Sequence, residues 1–129
     1  MMIAPAHPYK LVFDERPQYL YARVTADYAD RACAMAYLTE IARRINERSQ
    51  KLLMLERCIP AMLPDDDLKA ATLDFFEMIG DVKAALINPY LSHDKAMSFA
   101  LEMGRDNGAN FRLFNCPIMA EEWLLEPTV

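Results

Sequence analysis

Glycine is scarce: three residues in 129, at positions 80, 104 and 108. With so few, no glycine-rich loop can wrap backbone N–H groups around a phosphate, and the nucleotide-binding signatures built on such loops are excluded. Histidine is scarcer, with only His7 and His93. His7 stands in a proline-flanked start, which leaves one imidazole for acid–base chemistry. The three cysteines, Cys33, Cys58 and Cys116, are odd in number and in no metal-ligand spacing, so neither a disulfide framework nor a zinc site is expected. Basic residues do not dominate: 14 Lys and Arg against 19 Asp and Glu give a formal net charge of -5. The basic stripe of a nucleic-acid binder is missing, so no nucleic-acid partner is expected. No apolar run approaches the ~20 residues of a membrane span. Residues 1–8 lack the basic and apolar segments of a signal peptide. A cytoplasmic protein with no metal and no organic cofactor is the expectation.

What is present is ordinary globular composition, 53 % hydrophobic and 26 % charged, enough for one core. Residues 1–8 read as an irregular lead-in, 9–125 as a single domain and 126–129 as a tail. Residues 9–14 and 18–25 read as two strands around a turn with Pro17, close enough for an antiparallel hairpin. In the second strand Leu20, Ala22 and Val24 fall on one side, and Tyr19, Tyr21 and Arg23 on the other. A helix capped by Asp27 or Asp30 runs to about Arg48, with Tyr28, Ala32, Met35, Leu38 or Thr39, Ala42 and Ile45 as its buried stripe. The arginines at its end, Arg43, Arg44 and Arg48, suit the helix dipole.

Residues 51–56 form a run buried on both faces, as in a parallel sheet. A proline-punctuated loop, 57–64, leads to a helix opened by Asp65, Asp66 and Asp67 and stopped at Gly80. Three consecutive acids point in different directions on a helix, and no calcium-loop pattern follows them. Residues 83–87 are the next strand. Ser92 is the expected N-cap of a helix that buries Ala96, Phe99, Ala100 and Met103 and ends at Asn107-Gly108. Residues 110–114 are the last strand, and Pro117 starts a final helix with Ile118, Met119, Trp123 and Leu124 on its apolar side. The order is ββαβαβαβα, an α/β protein. Its first strand is antiparallel and the other four are parallel, because helices separate them.

The segment A-L-I-N-P at 85–89, the helix centre F-A-L-E-M at 99–103, N-G-A-N-F-R-L-F at 107–114 and the closing E-E-W-L at 121–124 together resemble the SpoIIAA-like branch of the STAS superfamily. That superfamily includes bacterial anti-sigma-factor antagonists and cytoplasmic domains of sulfate transporters. The resemblance covers roughly residues 9–125 and is most specific over 83–125. It implies a five-stranded mixed sheet in sequential order with right-handed βα crossovers. It also implies a regulatory, protein-binding role. Regulatory members carry a phosphorylatable serine at the start of the helix after the third strand. Residues 60–67 here contain no Ser, Thr or Gly. Asp65, Asp66 and Asp67 stand at that helix start as a permanent negative charge.

Function therefore divides into three readings. The first is a non-enzymatic STAS-like domain that binds a protein or a small apolar ligand. Its interface candidates are Tyr19, Tyr21 and Arg23 on the sheet face away from the crossover helices, joined by Tyr9, Leu11 and Phe13 of the first strand, and its expected partner is a second copy or another protein. The second is a small enzyme using Cys116 or His93 at the C-terminal edge of the sheet. The third, related through the fold to CRAL-TRIO lipid carriers, is a hydrophobic-ligand binder, for which nine methionines and six phenylalanines would line a pliable pocket.

Overall fold

A computed structural model describes residues 9–127. The expected lead-in, 1–8, and the last two residues of the tail lie outside the described residues. The elements follow in the order β1 (Tyr9–Glu15), β2 (Leu20–Ala26), α1 (Arg31–Arg48), β3 (Leu52–Cys58), α2 (Asp65–Ile79), β4 (Lys83–Ile87), a 3₁₀ turn (Leu91–His93), α3 (Asp94–Asp106), β5 (Asn110–Phe114) and α4 (Pro117–Leu124). They build one five-stranded sheet in sequential order, β1 antiparallel to β2 and the rest parallel. Crossovers of one hand through such a sheet leave their helices on the same face. Accordingly α1, α2 and α3 pack side by side over one face, and α4 crosses the other under β3, β4 and β5.

Each face has its own apolar cluster. Under α1–α3 the sheet contributes Leu20, Ala22, Val24, Leu53, Leu55, Ala84 and Phe111. On the far face Tyr19, Met54, Ala85 and Ile87 meet Ala120 and Leu124 of α4. Because β3 and β4 are covered on both faces, they read as continuous apolar runs.

Several details differ from the sequence reading. β3 extends to Cys58, since Arg57 and Cys58 still pair with Val24 and Thr25. Asp30, not Asp27, caps α1, accepting a bond from the Cys33 N–H at 2.7 Å. The buried residues of α1 are Cys33, Ala34, Tyr37, Leu38, Ile41, Ala42 and Ile45, so Leu38, Ala42 and Ile45 are inward as expected, while Tyr28 lies outside the helix and is exposed. Ser92 caps nothing: it sits inside the 3₁₀ turn, and α3 starts two residues later without a side-chain cap. The inner face of α3 is Met97, Ala100, Leu101 and Gly104, so Phe99 points outward at 59 % exposure. Ile118 and Met119 are likewise exposed at the start of α4.

Candidate functional site

The hairpin residues expected to share one open surface are divided between the two faces. In the β1–β2 register Tyr9 faces Ala26, Leu11 faces Val24 and Phe13 faces Ala22. Residues directly opposite in an antiparallel pair share a face, so Tyr9, Leu11 and Phe13 lie under α1 and do not join Tyr19, Tyr21 and Arg23. Tyr9 stacks edge-on against Tyr37 and donates its hydroxyl to Glu40 at 2.7 Å, and Arg44 covers the Phe13 ring.

On the other face, α4 takes up Tyr19. Its hydroxyl donates to Glu121 at 2.5 Å and accepts from Arg16 at 2.6 Å. Tyr21 is half-buried, donates to Glu56 and lies beneath the Arg16 guanidinium, 4.7 Å from the ring centre. Burial, and then the neighbouring carboxylates, push the Tyr9, Tyr19 and Tyr21 phenols above their ordinary value, because a phenolate would face an anion. Only Arg23 of the three remains exposed, 4.0 Å from Glu56.

The C-terminal edge of the sheet carries a polar network that the sequence reading did not identify. Asn88 closes β4 with no exposed surface. Its side chain accepts from the Tyr90 N–H at 3.1 Å and donates to His93 Nδ1 at 3.1 Å. The other imidazole nitrogen, Nε2, lies 3.1 Å from the Pro60 carbonyl. A carbonyl only accepts, so Nε2 carries the proton and Nδ1 is the acceptor. Both ring nitrogens are thereby engaged in bracing the β3–α2 loop against β4. Cys116 stands at the N-cap position of α4, half-buried, and no hydrogen bond joins it to His93 among the described residues. From the end of β3, buried Arg57 donates to the loop carbonyls of Ile59 and Ala61 at 2.9 and 2.5 Å. An Asn ending an apolar run was the one sequence signal of this brace.

Asp65, Asp66 and Asp67 form the first turn of α2, and Asp67 lies 3.9 Å from Arg31 of α1. Among the described residues no group of three His, Cys, Asp or Glu side chains is placed to hold a metal ion. Beside this helix start a groove of about 590 Å³ opens between α2 and α3, floored by Leu68, Ala96 and Ala100. Phe99 stands at its rim with the Lys69 ammonium 4.6 Å from its ring centre, and Lys95 lines the groove too. Beneath the helices the core holds a cavity of about 50 Å³, bordered by Tyr37, Arg57, Leu63, Phe75 and Met97.

The sequence matches no protein-family model and no curated protein. The fold, by contrast, has close counterparts along its whole length. An anti-sigma factor antagonist from Mycobacterium paratuberculosis superposes with a TM-score of 0.69 at 13 % identity, covering 96 % of this chain and 100 % of that one. A protein of the DUF3478 family with a SpoIIAA-like fold, from Shewanella loihica PV-4, superposes with a TM-score of 0.58 at 13 % identity, covering 96 % and 99 %. At that identity the likeness establishes the fold, a SpoIIAA-like α/β sheet.

Proposed function

We propose that this chain is a non-enzymatic regulatory domain that acts in the bacterial cytoplasm by binding another protein, without phosphorylation at the start of α2. The observation that carries the reading is the end-to-end fold likeness to an anti-sigma factor antagonist. Geometry at the C-terminal edge supports it. The polar groups there are engaged in bracing loops, whereas the α2–α3 groove offers an exposed aromatic beside two ammonium groups and the Asp65 carboxylate. An aromatic anchor with flanking charge suits a protein segment carrying an apolar side chain and a carboxylate.

Carriage of an apolar ligand has less support: the core cavity of about 50 Å³ is far below the ~300–1,000 Å³ of ligand pockets. The test is to purify the tagged chain from its own host, identify the co-purifying protein and titrate it against wild type and Phe99→Glu. The expected result is a stoichiometric partner whose affinity falls about a hundredfold in the variant, with the circular dichroism spectrum unchanged. Absence of any stoichiometric partner would sink the reading. Undiminished binding by folded Phe99→Glu would remove the groove from it.

A further inference from the structure

β1 is the longer of the two edge strands, seven residues against five in β5, and its sequence is complementary to itself. β1 runs seven residues without proline, and its one-to-one register with β2 contains no bulge. Within the described residues it therefore lacks the proline and the bulge that blunt many sheet edges. Lys10, Val12 and Asp14 pair with Thr25, Arg23 and Tyr21, so they project from the face opposite α1. All three are exposed, Val12 at 46 %.

We propose that β1 pairs antiparallel with β1 of a second copy, about a twofold axis normal to the sheet at Val12. In that register Val12 faces Val12 of the second copy, and Lys10 faces Asp14 on both sides of the axis. On the helix side Leu11 faces Phe13. These three kinds of pair are favourable ones, and at each end Tyr9 faces Glu15. Registers centred one residue away set Lys10 or Asp14 against Val12 and leave the charges unmatched. Lys10 makes no ion pair among the described residues, and Asp14 has only the exposed Arg16, at 3.2 Å.

The opposite edge is built the other way. A twofold at the middle of β5, Asn110–Phe114, would set Arg112 against Arg112, two like charges face to face. The central register thus sets like charges together at β5 and opposite charges together at β1. This extends the protein-binding reading without depending on it, since self-association at β1 and partner capture at the α2–α3 groove use separate surfaces.

Charge exchange followed by sedimentation of the full chain tests the register. Wild type is expected to sediment as a dimer. Lys10→Asp sets two carboxylates against each other and Asp14→Lys two ammonium groups, so each variant should self-associate about tenfold or more weakly. An equimolar mixture of the two restores every opposite-charge pair and should recover the dimer, a result that a merely structural role for either residue would not give. Should either variant misfold, Val12→Cys substitutes for it. Cysteines at paired positions of antiparallel strands lie within disulfide reach, and oxidation should link the dimer through position 12. Lys10→Cys, some four residues from its own copy, should not link. A monomeric wild type, singly charged variants that remain dimeric, or a mixture that stays monomeric would each overturn the proposal, and so would failure of Val12→Cys to link.

Discussion

Replacing Asn88 by alanine isolates the brace that holds the C-terminal edge together. The substitution keeps both backbone bonds of residue 88, its N–H to the Phe114 carbonyl at 2.9 Å and its carbonyl to the Asn115 amide at 2.9 Å. It removes the acceptor of the Tyr90 N–H and the donor to His93 Nδ1. Stranding a buried polar group costs roughly 1–3 kcal/mol, so two stranded groups cost about 2–6 kcal/mol, nearer 2 if a water enters the vacated space and bridges them. A domain of this size has a total stability of roughly 5–15 kcal/mol, so the loss is a large fraction of it. With a urea slope of about 1–3 kcal/mol per molar, a loss near 3 kcal/mol moves the midpoint down by roughly 1–3 M. Equilibrium urea unfolding read by tryptophan fluorescence measures this. Asn115→Ala serves as the control: its amide bonds are exposed or part-buried, and its loss should stay near 0.5–1.5 kcal/mol. A loss below about 1 kcal/mol for Asn88→Ala, or equal losses for the two variants, would refute the brace.

Three further outcomes are expected. Tyr9, Tyr19, Tyr21 and Tyr37 all have phenols pushed above the ordinary 10.0, by burial first in every case. Their contribution to stability is whole below pH 10 and is lost as pH rises above it; absorbance at 295 nm should therefore show their ionisation arriving together with unfolding, and smooth independent titration from pH 10 would contradict this. Thiol titration of denatured, unreduced protein should count three free cysteines, since Cys33, Cys58 and Cys116 are all unpaired; a count of one would disprove it. A Cβ at Gly104 would stand 3.3 Å from the Thr72 methyl and 3.7 Å from Ala109, so Gly104→Leu should lose about 1–3 kcal/mol in urea unfolding through overpacking between α2, α3 and β5, and an unchanged midpoint would show that α3 has room to shift.

Much of the fold was legible because its signals are local. Gly80, with φ at 64°, ends α2 at the residue where the sequence reading stopped it, and Pro117 starts α4. Short apolar runs bounded by such stops gave β4 and β5 at their observed limits, 83–87 and 110–114. Helix phase was harder to read. α1 and α3 are rich in alanine and methionine, so several neighbouring stripes fit the 3.6-residue period. For α3 the choice that buries Phe99 lost to one that buries Met97, Leu101 and Gly104.

The candidate surfaces depended on information no local pattern contains. The resemblance to the SpoIIAA-like branch, drawn from residues 83–125, anticipated the sheet order that the structure shares with its structural neighbours. The alternation of β2 correctly set Leu20, Ala22 and Val24 under the crossover helices. It could not assign a face to β1, because hairpin parity is fixed by the register across the turn. That register sets odd-numbered residues of β1 opposite even-numbered ones of β2, turning Tyr9, Leu11 and Phe13 inward and Lys10, Val12 and Asp14 outward. The burial of Tyr19 rests on α4, a hundred residues further along the chain, and the joining of Asn88 through His93 to Pro60 rests on two loops meeting at one sheet edge. The sequence by itself determined which elements form and in what order, since periodicity and stop residues act within a few positions. Tertiary structure alone decided which side chains are shared between distant elements, since that depends on register and on which helix covers which face.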